Sequence, residues 1–182
     1  MKRIIQSMED KYLAPSLNMV RRTFTDSENA EEAEVVVSLI KEIRSMSTYI
    51  PELELIMVND EDEVIGYAMF SSFHLGGKYQ DELLILSPVA VKTELQRQHI
   101  SKELIEYGFE KAKKMGFSAV LVEGNPQNYR SRGFQTSADF GIIAAESVGL
   151  SAPECLMVKE LQHCALEHVS GVVDYSDYKA LR

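Results

Sequence analysis

Cysteine is scarce in this chain, and its two copies, Cys155 and Cys164, stand nine residues apart with no CxxC pair and no histidine at ligand spacing. That pattern excludes a cysteine-based zinc site and a redox motif, and leaves both as small semi-apolar side chains. No metal site is expected. Long apolar runs are missing too. The strongest, such as Leu83 to Leu86, fall far short of the roughly 20 residues a bilayer-spanning helix needs. Met1 to Tyr12 lacks the apolar stretch of a signal peptide, so the expectation is a cytoplasmic protein with no membrane partner. Positive charge is in deficit: 19 Lys and Arg stand against 28 Asp and Glu, a net charge of -9. Such a balance repels phosphate backbones, and no nucleic-acid partner is expected. Repeats and biased tracts are also absent, which excludes a solenoid or a disordered segment.

What remains is an ordinary globular composition, 45% hydrophobic over 182 residues. The length favours one domain over 1–182, able to bury roughly two thirds of the surface of its unfolded chain. Ile4 to Ser7 reads as a short strand. Met8 to Phe24 and Glu28 to Met46 carry apolar residues at helical spacing, with Val35, Val36, Leu39, Ile40 and Ile43 on one stripe of the second. Pro51 ends that pattern. Leu53 to Val58 and Val64 to Phe70, joined by Asn59-Asp60-Glu61-Asp62, give a hairpin signal. Gly76-Gly77 marks another turn.

Leu83 to Val91 is nearly all apolar, as in a strand buried on both faces. Pro88 interrupts it without an N–H to give to a ladder, which predicts a bulge where the strand diverges from Phe117 to Val122. Between those strands, Gln98 to Met115 carries an apolar stripe from Ile100 to Met115 and a Glu110/Lys114 pair, and Gly116 caps it. Strand, helix, strand implies parallel pairing with a right-handed crossover, hence an α/β class. Phe140 to Ala144, Glu154 to Leu161 and Val169 to Val173 read as further strands. The loop entering the helix at Gln96 to Ser101 leaves backbone N–H groups free, as any helix start does, and the helix dipole adds positive potential for an anion there.

Leu84-Ile85-Leu86-Ser87-Pro88-Val89-Ala90-Val91, then Gln96-Arg97-Gln98-His99-Ile100-Ser101, then Gly124-Asn125-Pro126-Gln127-Asn128-Tyr129-Arg130-Ser131-Arg132-Gly133-Phe134 resemble, in that order, the cofactor half of a GNAT-type (GCN5-related) N-acetyltransferase. Pro51-Glu52-Leu53 and His168 to Tyr175 extend the resemblance over nearly the whole chain, to the small bacterial members of the YhbS type. It implies the GNAT fold, a mixed central sheet splayed at the cofactor cleft and flanked by helices. It also implies acetyl-coenzyme A as co-substrate, with no metal. The family's loop reads Q/R-x-x-G-x-G/A and holds the coenzyme A pyrophosphate through main-chain amides. Gln96 matches, while His99 and Ser101 stand in the two glycine places.

By the same resemblance, Arg97, Gln98, His99, Ile100, Ser101 and Lys102 complete the pyrophosphate loop, and Val89, Ala90 and Val91 offer main-chain groups to the pantetheine arm and thioester. Ser101 keeps a hydroxyl that can donate to phosphate. His99 brings a Cβ and ring that would crowd the cofactor, or an imidazolium that would attract phosphate. Tyr129, four residues before Gly133-Phe134, matches the family's general acid toward the departing thiolate, and a phenol stays protonated at neutral pH. Asn125 either bonds the pantetheine or caps a helix starting at Pro126. For a general base, Glu82, Glu123 and His74 are candidates near strand ends, and Glu82 is taken with Tyr129 as the catalytic pair.

The function implied is acetyl transfer to a primary amine by direct attack in a ternary complex, the acceptor being a small molecule or a peptide. The competing reading is an acetyl-coenzyme A-binding regulatory module without turnover, motivated by His99 and Ser101. A homodimer is raised as a further partner arrangement, because family members often pair and the tail from Glu167 to Arg182 carries apolar residues that need covering.

Overall fold

A computed structural model describes residues 1–182. The chain opens with β1 (Ile4–Ser7), followed by α1 (Leu13–Ser27) and α2 (Ala30–Arg44). Both helices are shorter at their N-termini than periodicity predicts. Asp10–Tyr12 forms a 3-10 turn before α1, and Asn29 caps α2 by accepting from Glu32 N at 2.8 Å. Then come β2 (Glu54–Val58), β3 (Val64–Leu75) and β4 (Lys78–Val91), the last two longer than expected because the Gly76-Gly77 turn lets them pair almost to its edge. α3 (Ile100–Lys114) crosses to β5 (Ala119–Glu123), and one helical turn, α4 (Pro126–Tyr129), follows. The short β6 (Gln135–Thr136), β7 (Ile142–Ala144), β8 (Leu156–Glu160) and β9 (Gly171–Val173) complete the chain.

Seven strands form one sheet in the order β1-β2-β3-β4-β5-β8-β6, antiparallel throughout except for the β4/β5 pair. The strands predicted at Phe140 to Ala144 and Val169 to Val173 lie apart from it, as the parallel two-stranded sheet β7-β9. The sheet separates two apolar clusters. One holds α1, α2 and Leu83, Ile85 and Ala90 of β4; the other holds α3 and Leu84 and Leu86, with Val89 and Val91 packed on it. α3 lies close to the sheet because small residues make room: a Cβ at Gly66 would come within 2.6 Å of Ile100, and one at Gly108 within 2.2 Å of Phe70. That seating fixes where the N-terminus of α3 points.

On the α2 side of the sheet, Glu54 is fully buried and accepts from Arg44, Tyr49 and Tyr67, which ties α2 to β2 and β3. A buried carboxylate with three donors is satisfied rather than stranded. The Glu110/Lys114 pair does not form; on α3 the i,i+4 pair is Lys102 with Glu106 at 3.9 Å. The tail covers much of its own apolar surface, with Val169, Val173 and Tyr178 buried against α2 and the sheet.

Candidate active site

The sheet opens where Pro88 stands. β4 pairs with β5 only through Leu83, Leu84 and Ile85, opposite Ala119, Val120 and Leu121. Beyond Leu86 the two strands part. On its other edge β4 stays joined to β3, but Phe70 faces Leu86 while Ala68 faces Val89, so the register slips by one residue across Ser87-Pro88. The slip reverses the strand's alternation. Ile85 faces the α2 side, whereas Val89 and Val91 face the α3 side. A proline with no N–H fits this stretch because no ladder bond is lost there.

The opened strand borders a cleft of about 670 Å³. Val89, Ala90, Val91, Gln96, Arg97, His99, Ile100, Ser101 and Tyr129 line it, and Thr23, Phe24 and Ser27 of α1 close one wall. Gln96 anchors its loop by donating from Nε2 to Val91 O at 3.5 Å, and Thr23 donates to the same oxygen at 3.2 Å. The first bond of α3 runs from Glu103 N to His99 O at 3.0 Å, so the amides before it have no helical acceptor. Ile100 and Ser101 of that first turn line the cleft, beside the positive end of the helix dipole.

His99 sits at φ 65° and Arg97 at φ 63°, both left-handed. The backbone at His99 thus keeps a glycine-type conformation although the residue carries a Cβ. Histidine is among the non-glycine residues that tolerate this region best. No side-chain hydrogen bond holds its ring, which is exposed.

Tyr129 closes the far wall. Its ring packs edge-on against Phe134 with centroids 5.6 Å apart, and the Arg132 guanidinium lies 5.8 Å over it. On the remaining side is Gly124, where a Cβ would sit 2.6 Å from Tyr129 Cε2. Burial raises the Tyr129 pKa and the nearby Arg132 charge opposes the rise, so the phenol keeps its proton at neutral pH.

Asn128 and Arg132 also line the cleft. Arg132 donates from Nη2 to Ser101 Oγ at 2.9 Å, and its buried Nε has no partner within the chain. A guanidinium with donor capacity to spare, next to a row of free amides, suits the phosphates of a nucleotide-bearing co-substrate. Sequence reading missed Arg132 because its contact with Ser101 spans 31 residues.

Four expected site residues lie elsewhere. The Gln98 side chain accepts from Arg3 at 2.7 Å, and Lys102 pairs with Glu106 along the exposed face of α3. Asn125 accepts from Gln127 N at 3.0 Å, which is the helix-capping alternative. Glu82 stands seven residues before Val89, about 20 Å away at strand spacing, and receives His168 at 2.7 Å. It therefore lies at the wrong end of β4 to serve the cleft. His74 is held by Asp177 at 2.6 Å near the same end.

Of the three candidate bases, only Glu123 lies at the splay, as the last residue of β5. It borders a second cavity of about 700 Å³, with Ile85, Ser87 and Gly124 from the strands, Leu39 and Ile43 from α2, and Tyr175 and Tyr178 from the tail. Tyr175 donates to Glu123 Oε2 at 2.8 Å. Gly124 borders this cavity and lies against Tyr129 of the cleft, so the two hollows flank the gap between β4 and β5 from either side.

A helix N-terminus beside a splayed parallel strand pair, with a second cavity behind the gap, is an arrangement suited to a transferase. The chain belongs to the acetyltransferase (GNAT) family, whose model matches residues 17–140. It is 26% identical to the uncharacterized N-acetyltransferase YhbS of Escherichia coli K12 over 166 residues, 91% of this chain and 92% of that protein. It is 29% identical to YjhQ, another uncharacterized N-acetyltransferase of the same organism, over 134 residues, 72% of this chain and 71% of that one. Among solved structures, E. coli YhbS in complex with CoA superposes with a TM-score of 0.83 at 24% identity, covering 97% of this chain and 91% of that one. A Brucella melitensis GNAT acetyltransferase in complex with acetyl-CoA gives 0.74 at 20% identity, covering 100% and 99%. The fold is the GNAT fold. No helix of the chain is long and apolar enough to cross a membrane.

Proposed function

We propose that the protein transfers the acetyl group of acetyl-CoA to a primary amine within a ternary complex. The observation that carries this reading is the parting of β4 from β5 beyond Ile85, with an anion-suited cleft on one side of the gap and a separate cavity bearing one carboxylate on the other. Two structurally similar proteins are solved in complex with CoA and with acetyl-CoA, which supports the choice of co-substrate.

In this scheme the amides at the start of α3, with Ser101 and Arg132, hold the pyrophosphate. The unpaired edge of β4 at Val89 to Val91 receives the pantetheine arm and polarises the carbonyl. The amine nitrogen bonds to the carbonyl carbon and the carbon–sulfur bond breaks. Tyr129 gives its Oη proton to the sulfur as charge builds there, and the proton shed by the amine passes to Glu123. Glu123 replaces Glu82 in the base role, because it alone of the candidates borders both the gap and the second cavity. The regulatory-module alternative is disfavoured by that second cavity, which a module without an acceptor does not need.

Calorimetry with acetyl-CoA followed by amine-dependent thiol release tests the reading. Micromolar-range binding and release of CoA thiol with at least one primary amine are expected. Absence of binding at millimolar acetyl-CoA refutes it, and binding without thiol release over a broad amine panel favours the regulatory module.

A further inference from the structure

The cavity behind the splay has an uneven lining. Leu39, Ile43 and Ile85 form one side, Val148 closes another, and the rings of Tyr175 and Tyr178 lie 6.3 Å apart at a third. Glu123 is the only carboxylate side chain among its thirteen lining residues, and the one cationic side chain is Arg182. Two neighbouring acids are engaged outside it: Glu42 accepts from the amides of Lys179 and Ala180 at 2.7 and 2.9 Å, and Asp177 holds His74.

Glu123 is itself half-occupied. Tyr175 binds Oε2, which fixes the carboxylate and leaves Oε1 for a ligand. Burial and the adjacent Glu123 charge push the Tyr175 pKa far above the phenol range, so this hydroxyl stays a donor.

Resting on the acetyltransferase reading, we infer that this cavity takes a primary amine with a single positive charge on an apolar, preferably aromatic, body. An ammonium entering it finds one partner at Glu123, next to Gly124 and the gap through which the acetyl group arrives. A second ammonium would find no further carboxylate side chain in the lining and would be repelled by Arg182. Spermidine-like acceptors are therefore selected against. A ring or branched chain, by contrast, displaces water from Leu39, Ile43 and Val148. The cavity is in the size range of small-molecule sites. Tyr175 is a positioning residue for Glu123.

The test uses the full chain and four acceptors: 2-phenylethylamine, isoamylamine, spermidine and a lysine-containing peptide. Calorimetry with acetyl-CoA alone decides whether the co-substrate binds, and thiol release with any primary amine of a broad panel decides the acetyltransferase reading. Thiol release decides the acceptor class, with kcat/KM for 2-phenylethylamine expected to exceed those of spermidine and the peptide by about tenfold or more. Equal or better turnover of spermidine or the peptide overturns the inference and leaves the acetyltransferase reading standing, as does failure of 2-phenylethylamine to react while acetyl-CoA binds and another amine of the panel reacts. Should acetyl-CoA not bind, direct titration still decides: 2-phenylethylamine has to bind the free protein more tightly than spermidine. Val148→Glu adds a second carboxylate to the wall and is expected to shift the spermidine to phenylethylamine ratio about tenfold toward spermidine. An unchanged ratio shows that acceptors bind elsewhere and overturns the assignment. Tyr175→Phe should move the acidic limb of the pH profile of kcat/KM, whereas a purely structural tyrosine would alter only thermal stability.

Discussion

Gly124→Ala places one methyl group between the end of β5 and the ring of Tyr129. The backbone tolerates it, since Gly124 is not among the left-handed glycines. Space does not, because the new Cβ would lie 2.6 Å from Cε2 and 3.1 Å from Cδ2 of that ring. Ordinary carbon contacts lie at about 3.5–4.0 Å, so the ring has to retreat by about 1 Å. Phe134 and Arg132 hold its other faces, and the retreat therefore disturbs packing. Overpacking of this kind costs about 1–3 kcal/mol, offset by about 0.4–1 kcal/mol from the reduced freedom of alanine in the unfolded chain. The expected fall in Tm is about 2–6 °C for a chain of this size. The larger effect is chemical: a proton donor displaced by about 1 Å loses about 10²-fold in rate. Thiol release at saturating acetyl-CoA reads kcat, and calorimetry reads an unchanged cofactor Kd. If the methyl acts through Tyr129, Gly124→Ala combined with Tyr129→Phe loses little more kcat than Tyr129→Phe alone. Wild-type kcat in the single variant, or losses that multiply in the double one, refutes the link.

Tyr129→Phe removes only the hydroxyl, and kcat is expected to fall about 10²-fold to 10⁴-fold while acetyl-CoA affinity holds. Retained kcat with a known substrate shows that the proton comes from elsewhere. His99→Gly relieves a left-handed histidine worth about 1–2 kcal/mol and returns some of that as glycine entropy, so Tm should rise by about 1–4 °C and cofactor Kd should hold or improve. A clear loss of affinity shows instead that the imidazole binds the anion. Burial raises the pKa of Tyr67 and Tyr178, the latter to about 12, with Glu54 adding to the first and Asp177 and Glu42 to the second. A raised phenol stabilises the fold fully below its unfolded value of about 10 and ceases to do so as pH rises through the folded value. Melts should thus show Tm level between pH 8 and 9.5 and falling toward pH 12, and a flat profile to pH 12 refutes the assignment of these phenols as buried and neutral.

The splay was legible because one residue announces it. Pro88 cannot serve a ladder, and its place inside an apolar run leaves a bulge as the economical solution, found as the one-residue slip between Phe70/Leu86 and Ala68/Val89. The lining of the cleft was legible where residues follow one another along the chain, from Val89 to Ser101. Gln98 and Lys102 fail because a loop and a helix turn successive residues in different directions, a detail fixed by Arg3 and Glu106 rather than by spacing. Glu82 fails for a reason the sequence itself contained. Ligands of parallel strands gather at their carboxyl ends, and Glu82 precedes the apolar core of its strand whereas Glu123 ends β5. Arg132 and Thr23 carried no local signal, since each is defined by a partner far along the chain.

The loop before α3 shows how a motif can lose both glycines and keep its shape. Two anchors flank it. On one side Gln96 is tied to Val91; on the other Ile100 is buried against Gly66, where no Cβ would fit. The chain between them has three residues, Arg97, Gln98 and His99, in which to turn from strand direction into the helix axis. So short a path is met here with positive φ at Arg97 and at His99, and the packing on either side over-determines it. Glycine makes that conformation cheap, but the anchors are what demand it. The amides are accordingly presented to the cleft by the seating of α3 on the sheet. It follows that loosening the seat, for instance with a larger residue at Gly66, should weaken acetyl-CoA binding measured by calorimetry more than His99→Gly strengthens it.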